Sequence, residues 1–112
     1  MRVQATARNI RVSARKVRLL LDELPGKGID EASTVLRYSG KPVAKVVDKV
    51  LQSAAANAEN NYSLDRDALR VVEAYAGEGP TLKRYKPRSR GRVSPILKRT
   101  AHITVIVDDA EA

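Results

Sequence analysis

The fold of this 112-residue chain is decided by the stretch TLKRYKPRSRGRVSPILKRTAHITVIV, residues 81–107. The stretch carries eight basic side chains and no acidic one. From Lys86 to Arg92 it also lacks any large aliphatic residue, so its centre cannot bury a hydrophobic core of its own. A segment of this kind is expected to need an anionic partner around it before it becomes ordered.

The residues on either side of this basic centre indicate two strands. Residues 69–76 read as one strand, and residues 101–107, which are rich in β-branched side chains, read as another. Glycine and proline recur between them. The connection is either a loop of more than 20 residues, which is uncommon in a compact domain unless functional, or a long hairpin. The hairpin is the favoured interpretation. Its arms of about 12 residues would each reach roughly 40 Å. Because a small domain is only about 30 Å across, the tip would stand clear of the body.

The first third of the chain predicts a strand followed by a helix. Residues 2–9 alternate loosely, and Ser13 is placed to cap a helix whose apolar side is Val17, Leu20, Leu21 and Leu24. Pro25-Gly26 and Gly28 are expected to end that helix. If the helix extended backward, Arg11, Arg15 and Arg18 would share one of its sides.

Two further helices are predicted in the middle of the chain. The first covers Ile29 to Tyr38 and carries acidic residues in its first turn, where the helix dipole favours them. The second starts with Pro42 at its first position and closes at Asn60-Asn61. Its apolar side repeats at helical spacing through Val43, Val46, Val47, Val50, Leu51, Ala54 and Ala58. The residues from Tyr62 to Asp67 read as a loop in which Asp65 and Asp67 make turn contacts.

Charge is distributed unevenly along the chain, whose net charge is +8. Residues 1–21 hold six basic and no acidic side chains, residues 22–78 hold seven basic and ten acidic ones, and residues 79–107 hold eight basic and none acidic. Clustered positive charge of this kind indicates binding to a nucleic acid. The simpler alternatives are a disordered basic segment and a solvated charged face. The β-branched strand after the basic stretch, which returns the chain to the core, argues against the first.

Composition excludes several other classes of protein. With no Cys, disulfides and thiolate metal sites are absent, and a reducing compartment such as the cytoplasm is expected. With His102 as the sole histidine, the usual zinc clusters are excluded, and no cofactor is expected. No apolar run approaches the roughly 18 residues of a membrane span, and no export signal is expected at the N-terminus. No nucleophile, base and orienting group assemble, so a phosphate-ester enzyme is a remote alternative. Binding to an anionic membrane surface is a third alternative, which needs an amphipathic helix with cationic flanks, and the first helix meets this only in part.

Two stretches resemble the L22 family of large-subunit ribosomal proteins. The first is Val12-Ser13-Ala14-Arg15-Lys16-Val17-Arg18-Leu19, and the second runs from Glu78 through the basic centre to Lys98-Arg99-Thr100-Ala101-His102-Ile103-Thr104-Val105. Residues 54–59 also match the family. The chain departs from the family at Pro25, where Arg is usual, and at Ala101, where Ser is usual, which removes one phosphate contact and one hydroxyl contact.

The resemblance implies an α+β fold, in which three helices pack on a three-stranded antiparallel sheet and a long β-hairpin protrudes. The chain would be one ribosomal-protein domain, with a globular body at about 1–79 and 100–112 and an extended basic hairpin at about 80–99. Its partners would be several domains of large-subunit rRNA, neighbouring ribosomal proteins and the nascent peptide in the exit tunnel, with no membrane contact. By the same resemblance, residues 82–84 would lie in the arm through which family members influence macrolide sensitivity.

The candidate site residues follow from the basic segments and the family motifs. Arg grips phosphate bidentately, and Tyr85 offers a ring for an unpaired base. The candidate RNA-binding residues are Arg8, Arg11, Ser13, Arg15, Lys16, Arg18, Lys83, Arg84, Tyr85, Lys86, Lys98, Arg99 and His102. The tunnel-facing tip would be Arg88, Arg90, Gly91 and Arg92, where the glycine permits a turn.

Overall fold

The computed structural model describes residues 2–87, 91 and 93–109. In chain order, its helices and strands are β1 Arg2–Ile10, α1 Ala14–Leu21, α2 Ile29–Arg37, α3 Val43–Tyr62, β2 Leu69–Glu78, β3 Leu82–Pro87, β4 Val93–Lys98 and β5 Ala101–Asp109. A short 3-10 helix, Arg66–Ala68, precedes β2. The predicted α+β class is confirmed.

Three strands form an antiparallel sheet in the order β1-β5-β2. The central strand β5 pairs with both neighbours, so that Val107 lies opposite Val3 on one side and Val71 on the other. Alternate side chains of a strand point to the same face, and the alternate residues Ala101, Ile103, Val105 and Val107 are all fully buried. This face of the sheet forms one side of the hydrophobic core.

The apolar sides of the three helices pack on that face of the sheet. Val17 and Leu21 of α1 are fully buried, as are Val47 and Leu51 of α3. Ala54, Ala55 and Ala58 of α3 are fully buried where the helix packs on β1 and β5. Small side chains at these positions let the helix approach the sheet closely.

The first helix begins where the Ser13 cap predicts but ends earlier than its apolar pattern predicts. Ser13 has an extended backbone, and its Oγ accepts the N–H of Lys16 at 3.4 Å, so the helix begins at Ala14 and does not extend back to Arg11. The condition under which Arg11 would share a helical side with Arg15 and Arg18 is therefore not met. The helix ends at Leu21, before the predicted stop at Pro25-Gly26. Leu24 is still fully buried, from a non-helical turn.

The ends of α3 each differ by a residue or two from the prediction. Pro42 precedes the helix as its N-cap and is not its first residue. At the other end the helix continues through Asn60 and Asn61 to Tyr62, because Ser63 takes a left-handed conformation with φ +54° and the Leu64 N–H bonds Ala58 O at 3.1 Å. The predicted turn contact of Asp65 is confirmed, since its Oδ1 accepts the N–H of Asp67 at 3.1 Å.

The basic stretch forms a hairpin, as favoured over the long loop. Strands β3 and β4 pair with each other from Leu82 opposite Lys98 to Pro87 opposite Val93, in a two-stranded sheet separate from that of the body. The side chains of β3 are exposed along its whole length. The molecule is correspondingly elongated, measuring 65 × 26 × 18 Å.

Candidate nucleic-acid interface

The hairpin presents cations on both of its faces. Because side chains alternate along a strand, Lys83 and Tyr85 of β3 share one face, while Arg84 and Lys86 share the other. All four side chains are exposed, and Tyr85 leaves 67% of its surface accessible. A ribbon with two cationic faces can contact anionic groups on either side at once.

Exposed apolar side chains accompany the cations on each face. Leu97 lies opposite Lys83 and is 48% exposed, and Ile96 lies opposite Arg84 and is 36% exposed. Lys98, at the end of β4, is half-buried opposite Leu82. A two-stranded ribbon is marginally stable in water by itself. These side chains supply apolar surface that a partner would cover.

The hairpin cations have no acidic counterpart within the described residues. The guanidinium of Arg84 donates to the backbone oxygen of Lys83 at 2.9 Å. By contrast, Arg66 in the body lies 3.6 Å from Asp30 and 3.8 Å from Glu59, and donates to Gln52 Oε1 at 2.6 Å. The body therefore neutralises this cation itself, whereas the described part of the hairpin leaves its charge available to a partner.

The base of the hairpin is fixed to the body by two hydrogen bonds. The Gly79 N–H donates to Thr100 O at 3.0 Å, and the Thr100 hydroxyl donates to Pro80 O at 2.6 Å. A glycine is required at position 79, since a Cβ there would lie only 2.5 Å from Thr100 Oγ1. These contacts set the direction in which the hairpin leaves the sheet.

The two basic segments of the sequence meet at this base. A cavity of about 340 Å³ is lined by Ser13, Ala14, Arg15, Glu78, Gly79, Thr81, Arg99 and Thr100. Arg15 comes from the first turn of α1 and Arg99 from the link between β4 and β5, 84 positions later in the chain. The cations outnumber the single carboxylate, Glu78. This arrangement suits an anionic group between the first helix and the hairpin.

The side chain of Arg18 is hydrogen-bonded to another element of the protein. Its guanidinium donates to Ala76 O through Nε at 3.3 Å and Nη2 at 3.1 Å, which ties α1 to β2. The other cations of the N-terminal cluster, Arg8, Arg11, Arg15 and Lys16, are exposed, and no hydrogen bond or ion pair from their side chains is present among the described residues. The cluster thus divides into one bonded arginine and four accessible cations.

His102 supports the junction of the body and the hairpin. Its Nδ1 accepts the N–H of Asn9 at 3.2 Å, where β1 has a bulge and Asn9 takes φ +56°. The other side of its ring lies beside Gly79, within 3.1 to 3.3 Å of where a Cβ would stand. The imidazole therefore packs between the end of β1 and the hairpin base.

At the tip, Arg88, Arg90 and Arg92 lie outside the described residues. Gly91 is described, and its φ of +73° is left-handed, a conformation that glycine adopts freely.

A further basic ridge, on α3 and the residues just before it, was not predicted from the sequence. Lys41, Lys45 and Lys49 follow one another at intervals of four and are all exposed, next to exposed Arg37 at the end of α2. The spacing was visible in the sequence as a helical stripe. The net negative charge of residues 22–78 concealed it, because a segment total does not show which face each charge occupies.

Other kinds of site are absent from the part of the chain that the structure describes. It holds no group of three or more side chains that could bind a metal ion. Its helices include none that is both long and apolar enough to cross a membrane.

Comparison with known proteins identifies the family. The sequence profile of the family described as ribosomal protein L22p/L17e matches residues 5–108. The chain belongs to the ribosomal protein L22p/L17e family. Its resemblance to this family in two motifs thus extends over nearly the whole sequence. Membership makes the chain a structural ribosomal protein of the cytoplasmic ribosome and not an enzyme.

Curated members of the L22p/L17e family match at close to full length. The chain is 54% identical over 111 residues to "Large ribosomal subunit protein uL22" of Macrococcus caseolyticus, covering 99% of this chain and 90% of the relative. It is 53% identical over 111 residues to the protein of that name from Staphylococcus haemolyticus, and the match covers 99% of this chain and 95% of the relative. It is 50% identical over 108 residues to the protein of that name from Pediococcus pentosaceus, and the match covers 96% of this chain and 92% of the relative.

Proposed function

We propose that this chain is a constituent of the large ribosomal subunit that binds several domains of large-subunit rRNA and helps to fold them during assembly. The observation that carries the proposal is the meeting of Arg15 and Arg99 at the hairpin base, with further cations exposed along β3 and around α1. Two basic segments that are far apart in sequence form one anion-binding region from which the hairpin projects.

The mechanism is architectural. Phosphates of separate RNA segments repel one another, and cations between them reduce that repulsion and release bound counterions. Arg15 and Arg99 would hold one segment at the base. Lys83 and Arg84, on opposite faces of β3, would contact segments on either side of the hairpin. Tyr85, with its ring exposed, would stack on an unpaired base.

The proposal extends to the hairpin tip. Arg88, Arg90, Gly91 and Arg92 would line the nascent-peptide exit tunnel and contact the peptide inside it. Support comes from the match to the family's hairpin motif and from a 65 Å molecule whose β3–β4 hairpin forms its own sheet. The body would then remain among rRNA and neighbouring ribosomal proteins.

Salt dependence of RNA binding tests the rRNA part of the proposal. The purified chain would be titrated with large-subunit rRNA at several salt concentrations, and the logarithm of the affinity plotted against that of the salt concentration. Each phosphate contact contributes roughly 0.7 to 0.9 to the slope, so six or more contacts would give at least about 4 to 5. A slope near zero would contradict the proposal, as would absence of the chain from large subunits washed at high salt.

Photo-cross-linking tests the tunnel part separately. A photo-reactive residue placed at Arg90 in ribosomes that hold a stalled nascent chain should give an adduct with that chain. The same residue at Arg99, near the hairpin base, is the control and should give adducts with rRNA only. If both positions react with rRNA and neither with the peptide, the rRNA part stands and the tunnel part is wrong.

A further inference from the structure

An apolar groove lies beside the first basic segment, between the end of β1, α1 and the start of α3. It has a volume of about 660 Å³. Its floor and walls are aliphatic, formed by Ile10, Val12, Leu19, Pro42, Val43 and Val46. Three cations, Arg11, Lys16 and Lys41, complete the lining, and no acidic residue contributes to it. The RNA-binding role proposed above does not involve these apolar surfaces.

The local structure explains why the groove is open. The Val12 N–H bonds Ile10 O at 2.8 Å, which turns the chain sharply between β1 and α1. Ile10, Val12, Val43 and Val46 are each half-buried, so one side of each packs on the core and the other side faces outward. Leu19 is the exception, because 66% of its surface is exposed on the outer side of α1.

We infer that this groove binds an apolar segment of a neighbouring protein of the large subunit, with acidic side chains flanking the apolar ones. Burial of aliphatic surface would favour association. The cations at the rim would attract carboxylates and fix the orientation of the segment. The inference rests on the proposed function, because its partner is a protein of that particle.

Other occupants fit the groove less well. A second copy of this chain would bring a net charge of +8 toward a cationic rim. The acidic end of the chain's own β5 does not reach the groove. Asp108 pairs with Arg2 at the start of β1, whereas the groove is at Ile10, the other end of that strand. RNA would find no aromatic ring in the lining on which to stack a base, and its hydrated phosphates gain nothing from aliphatic walls.

The test uses large subunits assembled with the full chain, in which Leu19 is replaced by the photo-cross-linking residue p-benzoylphenylalanine. Leu19 is chosen because its exposed side chain tolerates replacement. Irradiation should give a protein–protein adduct, and mass spectrometry should place it in a segment with apolar residues flanked by Asp or Glu. The same substitution at Tyr62 should not react with that segment, because Tyr62 ends α3, a helix about 30 Å long whose other end lines the groove.

Charge reversal adds a quantitative test. Lys41→Glu, at the rim, should lower the yield of the Leu19 adduct roughly fivefold by replacing attraction with repulsion. Lys45→Glu is the matched control, because it lies one turn farther along the exposed ridge and does not line the groove. Its adduct yield should stay within about twofold of the unmodified chain.

The remaining outcomes are decisive. If the chain is present in the particle and the Leu19 position reacts with rRNA only, with a second copy of the chain, or with nothing, the inference is wrong and the proposed function stands. If the chain is absent from the particle, both fail. Equal adduct yields from the two Lys→Glu variants would contradict the role assigned to the rim charge.

Discussion

Single residues control how the hairpin is attached, and Gly79 is the clearest case. Its N–H bonds Thr100 O, and there is no room for a side chain because a Cβ would approach Thr100 Oγ1 to 2.5 Å and the His102 ring to 3.1 Å. The Thr100 hydroxyl cannot move away freely, since it donates to Pro80 O. The attachment therefore depends on the absence of one methyl group.

We expect Gly79→Ala to destabilise the free protein by about 1 to 3 kcal/mol, because the added methyl overpacks the base. Urea unfolding measures the change. The control is Gly77→Ala in the same strand, where no atom would lie within 4 Å of the added methyl group. This control should be neutral or stabilising by up to about 1 kcal/mol. Equal losses in the two variants would show that contact with Thr100 is not the cause.

Arg15 and Arg18 look equivalent in the sequence but differ in the folded chain. Arg18 donates two hydrogen bonds to Ala76 O, whereas Arg15 lines the cavity at the hairpin base. Arg18→Met should cost about 1 kcal/mol of stability, because it removes the link between α1 and β2. Arg15→Met should leave stability equal or slightly higher, since a cation at a helix N-terminus is unfavourable.

RNA binding should show the opposite pattern. Arg15→Met should lower affinity for large-subunit rRNA and reduce the salt slope by about 0.7 to 0.9, the share of one phosphate contact. Arg18→Met should change the slope by less. Denaturant unfolding and filter binding on both variants separate the two roles. A larger loss of slope in Arg18→Met would reverse the assignment.

At the level of elements, the hairpin and the body are stabilised by different means. The body has strands whose alternate side chains are buried and helices whose apolar stripes cover them. Strands β3 and β4 pair with each other, and the side chains of β3 are exposed. Removing the hairpin should therefore leave the folding of the body intact.

The test is to replace residues 82–98 with Asn-Gly, which joins Thr81 to Arg99 through a two-residue turn. The free energy of unfolding should change by no more than about 1 kcal/mol, because little apolar surface buried in the body is lost. Seven of the eight basic residues in the stretch 79–107 are removed, Arg99 being retained. The salt slope for rRNA binding should fall by up to about 5 to 6. A protein unable to fold would contradict the independence of the body.

At the level of the whole molecule, the 65 Å length and the clustered positive charge suit a protein whose hairpin becomes ordered when an anionic partner binds it. We expect amide exchange in the free protein to be slow in β5, whose two edges are both paired, and fast in β3 and β4. Addition of large-subunit rRNA should slow exchange in the hairpin strands and leave β5 nearly unchanged. Strong protection of β3 in the free protein would contradict this expectation, which hydrogen exchange with mass spectrometry can measure.

Features that depend on local pattern could be predicted from the order of residues alone. Helical spacing of apolar residues indicated the three helices, β-branched runs indicated the strands of the body, and the charge of residues 81–107 favoured a projecting hairpin. The Ser13 cap and the Asp65 turn were also predictable, because each is a contact between residues two or three positions apart. Family motifs extended these local patterns to an expected architecture.

Features that depend on contacts between distant residues emerged only in the folded chain. Packing of the elements determined that Arg18 bonds Ala76 O and that Arg15 meets Arg99. The apolar groove exists only because β1, α1 and α3 converge there. A residue's spacing along the chain gives its place on an element, but its neighbours across elements depend on how the core packs.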